Sequence, residues 1–234
     1  MISIPKLQFV SLALILFTAT SFIFLNTDDS ASIEIYITDC RDPESHSYFT
    51  PNLTILKDGQ DFQSIDPGFG SKVTLKDLEI GTYTIYYQSI FGNKEKQEIV
   101  ISESKSHSVT ICINQLDYSA SGYSAVIDEL EVGESYRINY ESQGCFHSDS
   151  ETISIGRIDG HYLVSWGDTS KILSQTEHDL IRQFEIEMNY MKGGGCTTTD
   201  TYTVLYKEKQ KEIHDRTCEW NGWDFLTKQL FGEY

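Results

Sequence analysis

Apolar and polar residues alternate with a period of two along the first half of this chain. Ser32 to Thr38 reads this way, and so does Asn52 to Leu56, which runs into the turn Lys57-Asp58-Gly59. Asp66-Pro67-Gly68 marks a second turn. Val73 to Leu75, Thr82 to Tyr87, Gln97 to Ile101 and Ser108 to Ile113 complete the set, and no stretch in this half has a helical period. Short strands at spacings of about 8–12 residues, with turn signals between them, predict a small all-β sandwich over residues 33–114.

The pattern then changes. Residues 115–122 carry Asp117, Ser119, Ser121 and Gly122 with little periodicity and read as a linker. Beyond them, Ser135 to Tyr140, Thr152 to Arg157 and Tyr162 to Trp166 predict strands, with Ile158-Asp159-Gly160 as a hairpin turn. Ser174-Gln175-Thr176-Glu177 is a capping box, in which hydroxyl and carboxylate satisfy the orphan amides of a helix start. Leu180, Ile181, Phe184, Met188 and Met191 follow at helical spacing as one apolar face. The opposite face is expected to carry Glu177, Asp179, Arg182 and Glu185 or Glu187, and Gly193-Gly194-Gly195 to end the helix. Thr197 to Tyr206 predicts a strand, Lys207 to Lys211 a turn, Glu212 to Thr217 a returning strand, and Asp224 to Phe231 a short amphipathic helix. The order β-β-β-α-β-β-α over residues 123–234 makes an α+β domain, which resembles no characterised family. The fold class expected for the whole is therefore mainly β.

One phrase carries a resemblance. Leu78-Glu79-Ile80-Gly81-Thr82-Tyr83-Thr84-Ile85 resembles the L-x-x-G-x-Y-x-I/V strand entry of transthyretin-like domains. It is also similar to the carboxypeptidase regulatory-like repeats of exported bacterial proteins. Gln97 through Ile101 and Ser108 to Ile111 fit that family's last two strands. The resemblance implies a stabilising, spacing or binding module without catalytic residues. Leu130 to Ile138 repeats the same turn-to-strand grammar, but its flanks do not match.

The N-terminus places the chain in a compartment. Lys6 precedes the uncharged stretch Leu7 to Leu25, and Asp28 and Asp29 follow it. Those residues predict an N-terminal hydrophobic helix of about 28 Å, close to the ~30 Å hydrocarbon core of a bilayer. Residues 1–32 thus read as a signal peptide, cleaved near Ala19-Thr20-Ser21, or as a signal anchor that keeps residues 7–25 in the membrane. Cleavage after Ser21 would expose Phe22-Ile23-Phe24-Leu25, which favours the anchor. Either route exports the remainder and limits membrane contact to this segment.

Exported cysteines tend to pair. All five, Cys40, Cys112, Cys145, Cys196 and Cys218, follow the hydrophobic stretch, and the odd number leaves at least one over. Cys40 ends the first predicted strand and Cys112 sits in the last, and such strands are often neighbours in a sandwich. A bridge between them closes a loop of about 70 residues, worth roughly 3–4 kcal/mol. Two of Cys145, Cys196 and Cys218 form a second bridge, either Cys196–Cys218 or Cys145–Cys196.

The 234 residues carry 18 basic and 35 acidic side chains, a net charge of −17. That balance argues against nucleic acid and anionic membrane surfaces as partners. No CxxC pair, serine-hydrolase motif, zincin motif or phosphate loop is present, and no cofactor is implied. Cys145, His147, His214 and Cys218 are the candidate zinc ligands by donor chemistry, although Cys145-Phe146-His147 is too tightly spaced for the usual fingers. Trp220 and Trp223, flanking Asn221-Gly222, are candidates for contact with a protein or glycan, the alternative being core packing of the last helix. The expected function is a non-enzymatic, extracytoplasmic binding or scaffold module. The rival readings are a hydrolase or zinc-dependent enzyme in the C-terminal domain, and an inhibitor or immunity-like partner of a basic protein.

Overall fold

A computed structural model describes residues 30–43, 49–191 and 193–232. The hydrophobic stretch 7–25 lies outside the described residues. Among those described, no helix is long and apolar enough to cross a membrane.

Seven strands form two facing sheets: β1 (Ala31–Thr38), β2 (Leu53–Lys57), β3 (Gln60–Ile65), β4 (Lys72–Leu78), β5 (Gly81–Gln88), β6 (Lys94–Ile101) and β7 (Ser106–Cys112). One sheet runs β4-β1-β7 and the other β3-β2-β5-β6. Alternation sends Ile33 and Ile35 of β1, Leu53 and Ile55 of β2, and Tyr83 and Ile85 of β5 into a common core, all fully buried. The sequence pattern anticipates six of these strands. It misses β3, whose residues are almost all exposed and whose polar composition hides the period. Asp58-Gly59 turns β2 into β3 with positive φ at both positions, the geometry of a tight hairpin. The glycine of the Leu78–Ile85 phrase has a steric reason: a Cβ on Gly81 would lie 2.8 Å from an Asp58 carboxylate oxygen. That carboxylate accepts from the Thr82 amide at 2.8 Å.

The first and last strands of the sandwich are parallel neighbours, with Thr38 beside Cys112. Cys40, two residues further on, is bonded to Cys112. The expected staple is present.

The second part contains helix α1 (Val126–Glu129), strands β8 (Ser135–Gln143), β9 (Ser148–Ile158), β10 (His161–Trp166) and β11 (Thr169–Ile172), helix α2 (Gln175–Met188), strands β12 (Thr199–Tyr206) and β13 (Lys209–Asp215), and helix α3 (Gly222–Phe231). The sheet is a six-stranded antiparallel one, ordered β11-β10-β9-β8-β12-β13. The predicted β-β-β-α-β-β-α order is corrected by the one-turn α1 and by β11, a four-residue edge strand too short to show a period. The Ser174–Glu177 capping box forms as expected.

Helix α2 ends at Met188, with Asn189 as its cap, and not at the triglycine. The glycines serve another purpose. Gly193 bridges to Asp215 at the edge of β13. A Cβ on Gly194 would lie 2.0 Å from the Arg216 carbonyl oxygen, so only glycine passes there. The close pass brings Cys196 to Cys218, its disulfide partner. Two disulfides point to an extracytoplasmic protein.

The stretch read as a linker is packed. Leu116 is buried, and the Tyr118 hydroxyl donates to Glu187 of α2. Around this contact the last turn of α2 is packed, with Phe184, Glu185, Ile186, Glu187 and Met188 all buried.

Candidate functional site

The residues singled out in the sequence do not converge. Cys218 is spent in its disulfide, so the set Cys145, His147, His214 and Cys218 loses one thiolate. Cys145 is a free, exposed thiol between β8 and β9. His147 faces the Ser142 hydroxyl at 3.0 Å, and His214 contacts Thr201 and Glu212. Among the described residues, no group of three or more His, Cys, Asp or Glu side chains could hold a metal ion.

Trp220 and Trp223 are also not where a partner could reach them. Each is 3% exposed, in an aromatic stack with Phe184, Tyr202 and Tyr140. They line a dimple of only about 30 Å³. Their indole N–H groups are satisfied internally, by Glu187 at 2.8 Å and Glu151 at 2.9 Å. Core packing, not recognition, accounts for both rings.

Two buried carboxylates on α2 hold the unforeseen chemistry. Glu187 is 0% exposed. The Arg41 guanidinium donates to both its oxygens at 2.6 Å, the Trp220 indole donates at 2.8 Å, and Tyr118 donates as well. Arg41 comes from the segment after β1, beside Asp39, and stacks over Phe225 of α3 at 5.2 Å. Burial works against the Arg41 charge, but the fields of Glu187 and Asp39 outweigh it, and its pKa ends above the usual value. Asp39 in turn accepts from Asn114 at 2.6 Å. This seam joins the sandwich to both long helices.

Glu185, two residues earlier, is 3% exposed and meets no cation among the described residues. One oxygen accepts from the Tyr136 hydroxyl and the other from the Val126 amide. Burial pushes its carboxyl up to about 7, and these hydrogen bonds only partly oppose the shift.

Glu185 lines a half-open groove of about 490 Å³ between the end of α2 and the β12–β13 hairpin. Val126, Met188, Val204 and Ile213 supply its apolar lining, and Lys207, Lys209 and Lys211 its basic rim. Asn189 shapes the inner wall. Its amide donates to the Glu185 and Ile186 carbonyls, capping the helix end, and its oxygen accepts from Lys211. A cation beside these carbonyls also suits the negative end of the helix dipole. Beyond this bridge a second compartment of about 460 Å³ opens, lined by Tyr123, Met191 and Ile213.

The helical spacing contained a signal for both glutamates. Ile181, Glu185 and Met188 stand at i, i+4 and i+7, and Glu187 stands seven residues after Leu180. Geometry places them on apolar flanks. Their charge alone argued for the solvent face.

No protein-family model matches this chain, and no curated protein matches it. Among solved structures, a streptococcal ancillary pilin aligns over 64% of this chain and 60% of its own, at 7% identity and a TM-score of 0.29. This chain thus spans less than two thirds of that pilin's length. A single B repeat unit of the collagen-binding surface protein of Staphylococcus aureus aligns over 80% of this chain and 98% of its own, at 12% identity and a TM-score of 0.19. At those scores neither likeness bears on what this chain does.

Proposed function

We propose that the protein is a non-catalytic binding module outside the cytoplasm, with the groove beside α2 as its binding surface. The transthyretin-like sandwich is the support on which that surface is held. The observation that carries this reading is the groove itself: a concave space of about 490 Å³ with an apolar strip of Val126, Met188, Val204 and Ile213, a polar and charged edge, and one carboxyl with a raised pKa. The disulfides and the Arg41–Glu187 seam support it, because they fix the walls of the groove before any ligand arrives.

A methyl-resolved NMR screen of small apolar fragments against the oxidised full chain tests the proposal. Shifts that gather on Val126, Met188, Val204 and Ile213 are the expected result. Shifts that scatter over the surface, or gather elsewhere, would overturn it. Turnover in a panel of hydrolase substrates would replace it with the enzymatic reading.

A further inference from the structure

We infer that the groove takes a small organic anion with an apolar body, its carboxylate held at Lys209 and Lys211 and its body laid along the half-buried Val126 and Ile213, above the buried Met188 and Val204. This inference rests on the reading of the groove as the binding surface and names the chemistry of what fills it.

The inner wall offers an anion no free donor. Both oxygens of Glu185 already accept hydrogen bonds, and the Asn189 side chain is used at both ends. An acceptor or anionic group pressed against this wall meets no free donor and loses water without gaining a bond, whereas an apolar one gains by burial.

The rim is different. Across the hairpin Lys209 pairs with Tyr206 and Lys211 with Val204, and both partners line the groove. Directly opposed residues share a face of the sheet, so the two lysines stand on the groove side. Glu212 pairs with Thr203 one step out of phase, and its carboxylate goes to His214 at 2.8 Å. Alternation thus gathers two cations on the groove side of an acidic protein.

Their state of engagement points outward. Lys207 is neutralised by Glu134 at 2.6 Å. Lys211 uses one of its three donors on Asn189. Lys209 has no partner among the described residues. Glu129 is the acidic group on the rim, and it accepts from the Ser124 hydroxyl. A carboxylate at this edge would complete Lys209 and take a free donor of Lys211. The space suits a compact molecule and not a folded domain.

Three isosteres that differ only in the head group separate the possibilities: phenylbutyrate, phenylbutanol and phenylbutylamine, titrated into the oxidised full chain while the methyls of Val126, Met188, Val204 and Ile213 are followed. Phenylbutyrate should move these methyls and bind roughly tenfold more tightly than the alcohol. K209Q, an exposed substitution at a side chain without a partner among the described residues, should bring acid and alcohol closer together without altering the unliganded spectrum elsewhere. Equal binding of acid and alcohol in the groove would overturn the anion and leave the groove reading standing. Preference for the amine would overturn it in favour of Glu129 and the helix C-terminus as the recognising groups. If all three compounds leave the groove methyls unmoved, the groove reading fails as well.

Discussion

Glu185 and Glu187 leave helix α2 about 160° apart, and the protein compensates them differently. On the Glu187 side, a guanidinium, an indole and a phenol converge on one carboxylate and tie the sandwich to the C-terminal helices. On the Glu185 side, a phenol and a backbone amide suffice, no cation approaches among the described residues, and the carboxyl faces a groove. The first arrangement holds a charge in place. The second keeps a proton within reach near neutral pH. The difference teaches that a buried carboxylate is read from its donors. A matching cation marks a structural joint, whereas neutral donors beside a cavity mark a group that titrates.

The largest effect is expected at the joint. Arg41→Met leaves Glu187 fully buried without its cation, and such an uncompensated charge costs about 3–5 kcal/mol. The double variant Arg41→Met/Glu187→Leu should recover part of this, because the buried charge goes with its partner. Tyr118 and Trp220 would still lack their acceptor, so recovery should be incomplete. Urea unfolding at pH 7 measures both. A cost below about 1 kcal/mol for Arg41→Met alone would mean that the seam is solvated and that the two glutamates are not so different.

The next effect is the pH dependence of the groove carboxyl. Glu185 holds its proton more tightly folded than unfolded, since its pKa rises from 4.5 to about 7. The folded state is therefore favoured at low pH. Stability falls as pH rises from about 4.5 to about 7, and the loss is complete above that window. At 1.36 kcal/mol per pH unit the loss is about 3 kcal/mol. Desolvation is the main cause, and Asp128 of α1 adds to it, while Tyr136 of β8 and the amides of Val126 and Ile127 oppose it. Other groups titrate in the same range, so the observable is a difference. Glu185→Gln should gain about 3 kcal/mol on the native chain between pH 4.5 and 7.5. A constant difference would show that water reaches Glu185 and keeps its pKa ordinary.

The sequence showed the scaffold more clearly than the site. Alternation located the main strands because each has one face on the core, as with Ile33 and Ile35 of β1. The strands it missed, β3 and β11, are polar edges that bury almost nothing. Cys40 and Cys112 were paired correctly because chain order already put the first and last strands together. The seam and the groove were not legible. Arg41 and Glu187 are 146 residues apart, and only the tertiary fold joins them. The groove lysines read as a turn, since the register that puts them opposite Val204 and Tyr206 is set by the two-residue turn Lys207-Glu208. Trp220 and Trp223 were open to two readings, a partner contact or the packing of the last helix, and the rings stacked in the core decide for packing.

The smallest effect offers the sharpest test of the Glu185 side. Tyr136 is 2% exposed and gives its hydroxyl proton to Glu185. Tyr136→Phe keeps the ring, including its edge contact with Tyr206, and removes only this donor. At pH 3, with the carboxyl neutral in both folded and unfolded chains, the lost bond joins two neutral groups and should cost about 1 kcal/mol. At pH 8 the bond serves a carboxylate, and the cost should rise to about 2 kcal/mol. The increase has a necessary counterpart. The Tyr136 bond is one of the interactions that lower the Glu185 pKa, so its removal must move that pKa further above 7 and extend the window over which stability falls. The two measurements, unfolding free energy against pH and the titration of the Glu185 carboxyl by NMR, must therefore agree. A cost that is the same at both pH values would mean that the phenol bonds to something other than the titrating group. Glu185 would then be an ordinary buried side chain, and the contrast with Glu187 would rest on the cation alone.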